Sequence, residues 1–218
     1  MIAENGQMAI HLPLSVARIG AFSTHTAHPE FVQKIGEYFT GLLGYQIKVE
    51  NPYLYRTKAE VVEKLVKSHR VAVEMSVSCW RASRLGKAFK HCGQCVPCLI
   101  RRIAVEYHSL SLPEYERDLL GENVAALPPT DEGKRNVSEL GEFAYAFSRQ
   151  TDAELMFEYP DLINEQIDLN RSIEMYRRFA KEAEAVLSRY KGVASILKFP
   201  GTSPATGTAT RTRGRKKR

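Results

Sequence analysis

Apolar positions along this chain recur with a helical period in most places and with a two-residue period in one. Phe31, Ile35, Tyr38, Phe39, Leu42 and Leu43 return at steps of three and four, the spacing of one helix face. Pro29 suits the start of that helix and Gly44 its end. Tyr45, Ile47 and Val49 then alternate with Gln46, Lys48 and Glu50, which predicts a short strand with one buried face. Asn51-Pro52 stops it. Thr57-Lys58-Ala59-Glu60 has the form of a capping box and opens a helix carrying Val61, Val62, Leu65 and Val66 on one side. An apolar run follows from Val71 to Val77. Helix, strand, helix and apolar run make an α/β rhythm. Upstream, Glu4-Asn5-Gly6 is a turn signal, and Pro13 spoils Met8–Leu14 as a central strand. Ser23, Thr24, His25, Thr26 and His28 form a polar loop, read here as a solvated connector in preference to a ligand pocket.

The pattern changes after residue 120. Leu99–Tyr107 reads as helix, Leu112-Pro113-Glu114 as the start of a short one, and Val124–Thr130, with Pro128-Pro129, as a linker. Beyond it the chain is all helical. Val137, Leu140, Ala144 and Phe147 share a face. Leu169, Ile173, Tyr176, Ala180, Ala183, Leu187 and Tyr190 follow a heptad seam, which wants a partner helix, expected from the chain itself. No internal repeat is present. The expected organisation is an α/β and metal-binding region over 1–125, a helical region over 131–198 and a disordered basic tail over 199–218.

Charge alters this picture only at the end. The net charge is +6. Arg211, Arg213, Arg215, Lys216, Lys217 and Arg218 account for all of it, because without them 25 Lys and Arg face 25 Asp and Glu. The body is neutral, which argues against a nucleic-acid-binding face. The tail, built from Gly, Ser, Thr and Ala, cannot bury enough to order itself, yet its cations suit weak, non-specific contact with nucleic acid. Removing residues 211–218 is expected to abolish DNA retention at low salt and to leave the melting temperature unchanged. Retention should fall steeply with salt, since each neutralised phosphate releases a counterion. Salt-resistant binding by the truncated protein would contradict this. No apolar run is long enough to span a membrane, the first residues lack the regions of a signal peptide, and clustered cysteines fit a reducing cytosol.

The chemistry is concentrated in Ser78–Arg102. All four cysteines lie there: Cys79, Cys92, Cys95 and Cys98. Two-residue gaps let thiolates face one ion, and zinc takes four such ligands in a tetrahedron, closed to substrate and therefore structural. Gly93 suits the turn between ligands, and Pro97 suits a helix start. Lys87, Lys90, Arg101 and Arg102 bracket the cluster, and cations favour the thiolate form. Three other readings remain. The cysteines could be free and buried, although four within twenty residues is dense for that. Cys95-Val96-Pro97-Cys98 could be a redox pair, which leaves Cys79 and Cys92 idle. The four could hold an iron–sulfur cluster, although the spacing matches neither common ferredoxin run.

Arg56-Thr57-Lys58-Ala59-Glu60, Ser78-Cys79-Trp80 and Cys92-Gly93-Gln94-Cys95-Val96-Pro97-Cys98 with Arg101 together resemble the carboxyl half of the 7-cyano-7-deazaguanine synthases, the QueC family. Glu4-Asn5-Gly6, Leu12-Pro13-Leu14, Arg18-Ile19-Gly20 and Thr24–Pro29 look closer to the QueC-like proteins of bacterial anti-phage defence loci, the Qat type. The likeness covers roughly residues 1–120. It implies a PP-loop ATP pyrophosphatase-like α/β fold, zinc on Cys79, Cys92, Cys95 and Cys98, and ATP-dependent, magnesium-dependent conversion of a 7-deazaguanine-type or other carboxylate through an adenylate. It implies Lys58, His25, Thr26, His28 and Arg101 as substrate or nucleotide contacts. The family's Ser-Gly-Gly-x-Asp-Ser phosphate loop is not found here. The resemblance therefore implies a fragment, a split subunit that needs an amino-terminal half, or a copy without catalysis. The competing reading is a zinc-stabilised nucleic-acid-binding or interaction module.

Overall fold

In the computed structural model the described residues are 1–15, 26–86, 88–110 and 115–197. The tail, His25, Lys87 and the Leu112-Pro113-Glu114 helix start lie outside them. Among the described residues are eight α-helices: α1 (Gly6–Ile10), α2 (Pro29–Leu43), α3 (Lys58–Met75), α4 (Val96–Tyr107), α5 (Glu132–Arg149), α6 (Asp152–Glu158), α7 (Leu169–Leu187) and α8 (Lys191–Ala194). Among the described residues there is no β-strand. The expected α/β architecture is not seen among these residues: what is described is helical.

The reason is visible at Tyr45–Glu50. Its alternation is kept only in part: Ile47 and Val49 are partly buried and Gln46, Lys48 and Glu50 exposed, but Tyr45 is exposed too. A strand, however, is made by an inter-strand ladder, and no second strand runs beside it among the described residues. Its backbone is tied otherwise: Ile47 N–H donates to Thr40 Oγ1 at 2.9 Å, and the Glu50 carbonyl accepts from Ile2 N–H at 2.9 Å. Gly36 lets the segment lie against α2, since a Cβ there would sit 3.3 Å from the Ile47 carbonyl oxygen.

The Val71–Val77 run differs too. It is helical to Met75, beyond a kink at His69 (φ −146°, ψ 58°), and extended only afterwards. Similarly, the apolar start of the chain forms α1, capped by Asn5.

Helix ends follow the sequence closely. His28 caps α2 through its Nδ1, and Gly44 closes α2 at φ 73°. Thr57 and Glu60 form the reciprocal box at the start of α3. Yet the apolar stripe of α2 faces outward: Tyr38 and Leu42 are more than 60% exposed, and only Val32 and Gly36 of the helix are buried.

The main core is sequence-distant. Ile10 and Leu12 from the amino end and Leu99 and Ile103 from α4 meet Val137, Leu140 and Phe147 from α5 and Ile173, Tyr176, Phe179 and Leu187 from α7. Phe143, Phe147, Tyr159 and Tyr176 stack at centroid separations of 4.8 to 5.4 Å, a geometry favoured beyond its area burial. The heptad seam therefore packs on α5 and α4 of its own chain. A smaller cluster (Ala59, Val62, Val73, Ala104, Val105) joins α3 to α4. Val124 is fully buried in the main core. No helix among the described residues is long and apolar enough to cross a membrane.

Candidate metal centre

The four cysteines converge. Cys79 leaves the extended stretch after α3, Cys92 and Cys95 flank a tight turn, and Cys98 lies in the first turn of α4. Their sulfurs all lie within 4.8 Å of one another. Cys92 Sγ and Cys98 Sγ are 3.9 Å apart, and Cys95 Sγ and Cys79 Sγ 4.0 Å. A tetrahedron with metal–sulfur bonds of about 2.3 Å has edges of about 3.8 Å, so these pairs are spaced for one ion and far too wide for disulfides. All four thiols are free and buried.

Local chemistry sets the turn. Gly93 adopts φ 77°, a conformation that costs a residue with a Cβ. Cys95 occupies the N-cap position of α4 without a side-chain capping bond, and Pro97 lies in the first turn. Backbone N–H groups point at sulfur: Arg81 and Cys92 at Cys79 (3.3 and 3.4 Å) and Cys95 at Cys92 (3.4 Å). The helix dipole of α4 adds positive potential at the same end.

Protons resist leaving together. Hydrogen bonds from the Cys95 and Cys98 thiols, then backbone N–H groups, hold Cys92 well below the ordinary thiol range. Donation to Cys92 pushes Cys95 up to about 12, and Cys98, which donates to Cys92 and is buried, is pushed higher still. One thiolate is thus favoured and further ones repel each other. Only a cation among them lets all four ionise, so the donor set fits a metal ion.

The shell around the turn comes from residues the sequence did not flag. Arg117 donates to Gln94 Oε1 and to Asp131, both at 2.9 Å, and to Glu122 at 2.7 and 2.8 Å. Asn136 of α5 donates to the Gln94 carbonyl at 2.8 Å, and Glu116 N–H donates to the His91 carbonyl at 3.0 Å. His91 is fully buried beside the ligands, edge-on to Tyr115. No spacing signal links these partners, which lie 5 to 42 residues apart.

The other expected contacts scatter. Arg101 donates to Ser76 Oγ at 2.5 Å and to the Val73 carbonyl, so it fastens the end of α3 to α4. Arg102 is tied to Glu106, Asp118 and the Tyr190 hydroxyl. Lys58 opens α3, its N–H donating to Gln7 Oε1 at 2.7 Å, while burial lowers its amine below the ordinary lysine range. His28 is a helix cap, and Thr26 lies exposed in the turn before it. A groove of about 1460 Å³ runs between α2, the 46–56 segment and α7, past Thr40, Val49, Tyr55, Arg171 and Arg178. Neither the cysteines nor Thr26, His28, Lys58 or Arg101 lines it.

Comparison with known proteins covers this region. The family described as "Queuosine biosynthesis protein QueC" matches residues 21–108, a span holding all four cysteines. Proteins named 7-cyano-7-deazaguanine synthase from three Coxiella burnetii strains (Dugway 5J108-111, RSA 331 / Henzerling II, and RSA 493 / Nine Mile phase I) are each 42% identical over 62 residues. That covers 28% of this chain and 26% of theirs, so the match spans about a quarter of the length of these relatives. No solved structure matches the chain. Residues 21–108 are therefore QueC-like, and they carry four cysteines placed to hold a metal.

Proposed function

We propose that this chain is the zinc-bearing, carboxyl-terminal part of a QueC-like ATP-dependent enzyme that activates a 7-deazaguanine-type or other carboxylate. The observation that carries this reading is the coincidence of the QueC match with four buried sulfurs at tetrahedral spacing. Zinc is the metal, since four thiolates within one tetrahedron suit it and leave no open position; Cys79, Cys92, Cys95 and Cys98 are its ligands and its role is structural. Another polypeptide segment supplies the glycine-rich phosphate loop, whose amides at a helix start bind phosphate. In this chain the amides at the start of α3 are already answered by Gln7 and Thr57. The resemblance of the opening residues to defence-locus proteins supports a role in a cytoplasmic anti-phage system.

The isolated chain is accordingly expected to show no micromolar affinity for ATP with magnesium by calorimetry. Co-expression with a protein carrying a Ser-Gly-Gly-x-Asp-Ser loop should restore carboxylate-dependent exchange of pyrophosphate into ATP. Micromolar binding by the chain alone would place the nucleotide site within it and overturn the division of labour.

A further inference from the structure

The segment that follows α2 has one edge occupied and one open. Gln46–Glu50 runs without a turn or bend. In extended backbone the N–H and C=O groups of alternate residues point to the same side. The odd residues face α2: Ile47 N–H donates to Thr40 Oγ1 at 2.9 Å, and a Cβ on Gly36 would sit 3.3 Å from the Ile47 carbonyl oxygen. The even residues face away. On that side the Glu50 carbonyl accepts from Ile2 N–H at 2.9 Å. Among the described residues, the N–H and C=O groups of Gln46 and Lys48 have no hydrogen-bond partner.

Native sheet edges are usually covered, broken by proline or a bulge, or charged. Gln46–Glu50 holds no proline, and the charge of Lys48 is met by Glu50. The first residues of the chain touch this side only at its end. They run in the same direction as the segment: Ile2 meets Glu50, the Glu4 carbonyl accepts from Asn51 Nδ2 at 2.8 Å, and Gly6 N–H donates to the Arg56 carbonyl at 2.8 Å. Pairing therefore begins at Glu50, and Lys48 and Gln46 lie further along the same line, unmatched. The groove of about 1460 Å³ borders the segment along its length.

We propose that the Gln46–Lys48 edge docks a β-strand of the polypeptide that supplies the phosphate loop, parallel to Gln46–Glu50 and in line with Ile2–Glu4. This rests on the enzymatic reading above. The free groups define the chemistry of the partner, because another strand offers donors and acceptors at the same two-residue period. The family match defines its source. Residues 21–108 contain α2, this segment and α3, whereas the identity reaches only 26% of the relatives' length. The remaining polypeptide of such an enzyme must pack on the matched span, and this edge is open within it.

The test pairs the full chain with the Coxiella burnetii RSA 493 synthase from which the 62 matched residues have been deleted, co-expressed and co-purified. Hydrogen exchange should show the Gln46 and Lys48 amides gaining about tenfold or more protection in the complex, and the Val49 amide, on the α2 side, gaining less. Lys48→Pro removes an N–H that has no partner in the chain alone, so metal content and melting temperature should not change. It should nevertheless weaken the complex about tenfold or more, because proline cannot donate to a ladder. Lys48→Ala keeps the N–H and should bind within about twofold of the native chain. No complex, or one that tolerates Lys48→Pro, would overturn the proposal. So would a chain that dimerises by itself through this edge, with Lys48→Pro abolishing the dimer by light scattering, since the occupant would then be a second copy. Pyrophosphate exchange into ATP, scored on the same samples, reports the enzymatic reading separately: a complex held by the edge without exchange removes the enzyme and keeps the edge, and exchange indifferent to Lys48→Pro does the reverse.

Discussion

Cys95→Ser is expected to strip the protein of stoichiometric metal and to lower its stability more than any surface change. Serine keeps the size of the side chain but is a poor partner for zinc, and three thiolates cannot close the tetrahedron. Loss of a supporting residue outside the ligand set costs roughly 10–100-fold in metal affinity; loss of a ligand should exceed that. The damage spreads because Cys95 directly precedes α4, whose Val96 and Leu99 belong to the main core. Metal binding at such sites is coupled to folding, so a chelator should unfold the native protein along the same route. Retention should also weaken with acid, because the raised Cys95 and Cys98 protons must leave before the metal can bind. Elemental analysis and thermal melting check this. Full zinc retention by Cys95→Ser would rule out the four-ligand site, and iron with a brown colour would replace zinc with a cluster.

How much of this was legible beforehand depends on what each feature requires. The boundaries of α2 and the capping box of α3 rest on residues within four positions of each other, and the sequence displays them. The cysteine cluster was legible for the same reason: three ligands lie within seven residues. The strand at Tyr45–Val49 was misjudged because alternation describes side-chain faces, whereas a strand is defined by a neighbour that the sequence window does not contain. The outward face of α2 was hidden likewise, since Phe31, Tyr38 and Leu42 at helical spacing say that a face is apolar, not what covers it. The supports of the metal turn, Arg117 and Asn136, and the pairing of Thr57 with Glu182 across 125 residues, exist only in three dimensions.

Gly93 joins the local and distant parts of the site, and Gly93→Ala is expected to be the most damaging single-methyl change in the chain. Two independent costs act together. The residue sits at φ 77°, where a side chain costs about 1–2 kcal/mol. A Cβ there would also lie 1.9 Å from the Arg117 carbonyl oxygen and 3.0 Å from Tyr115 Cβ, so backbone must move. Arg117 is not free to yield, since its guanidinium is shared among Gln94, Glu122 and Asp131. Moving it would pull on Gln94, which lies between two ligands. The expected loss is about 2–4 kcal/mol in denaturant unfolding, with weaker metal retention. Gly41→Ala supplies the contrast: it lies inside α2 with open space where its Cβ would go, and alanine should be neutral or stabilising by up to about 1 kcal/mol. If Gly93→Ala proved as harmless as Gly41→Ala, the turn would not be what sets the spacing of Cys92 and Cys95. The ligand geometry would then have to be imposed by the metal alone.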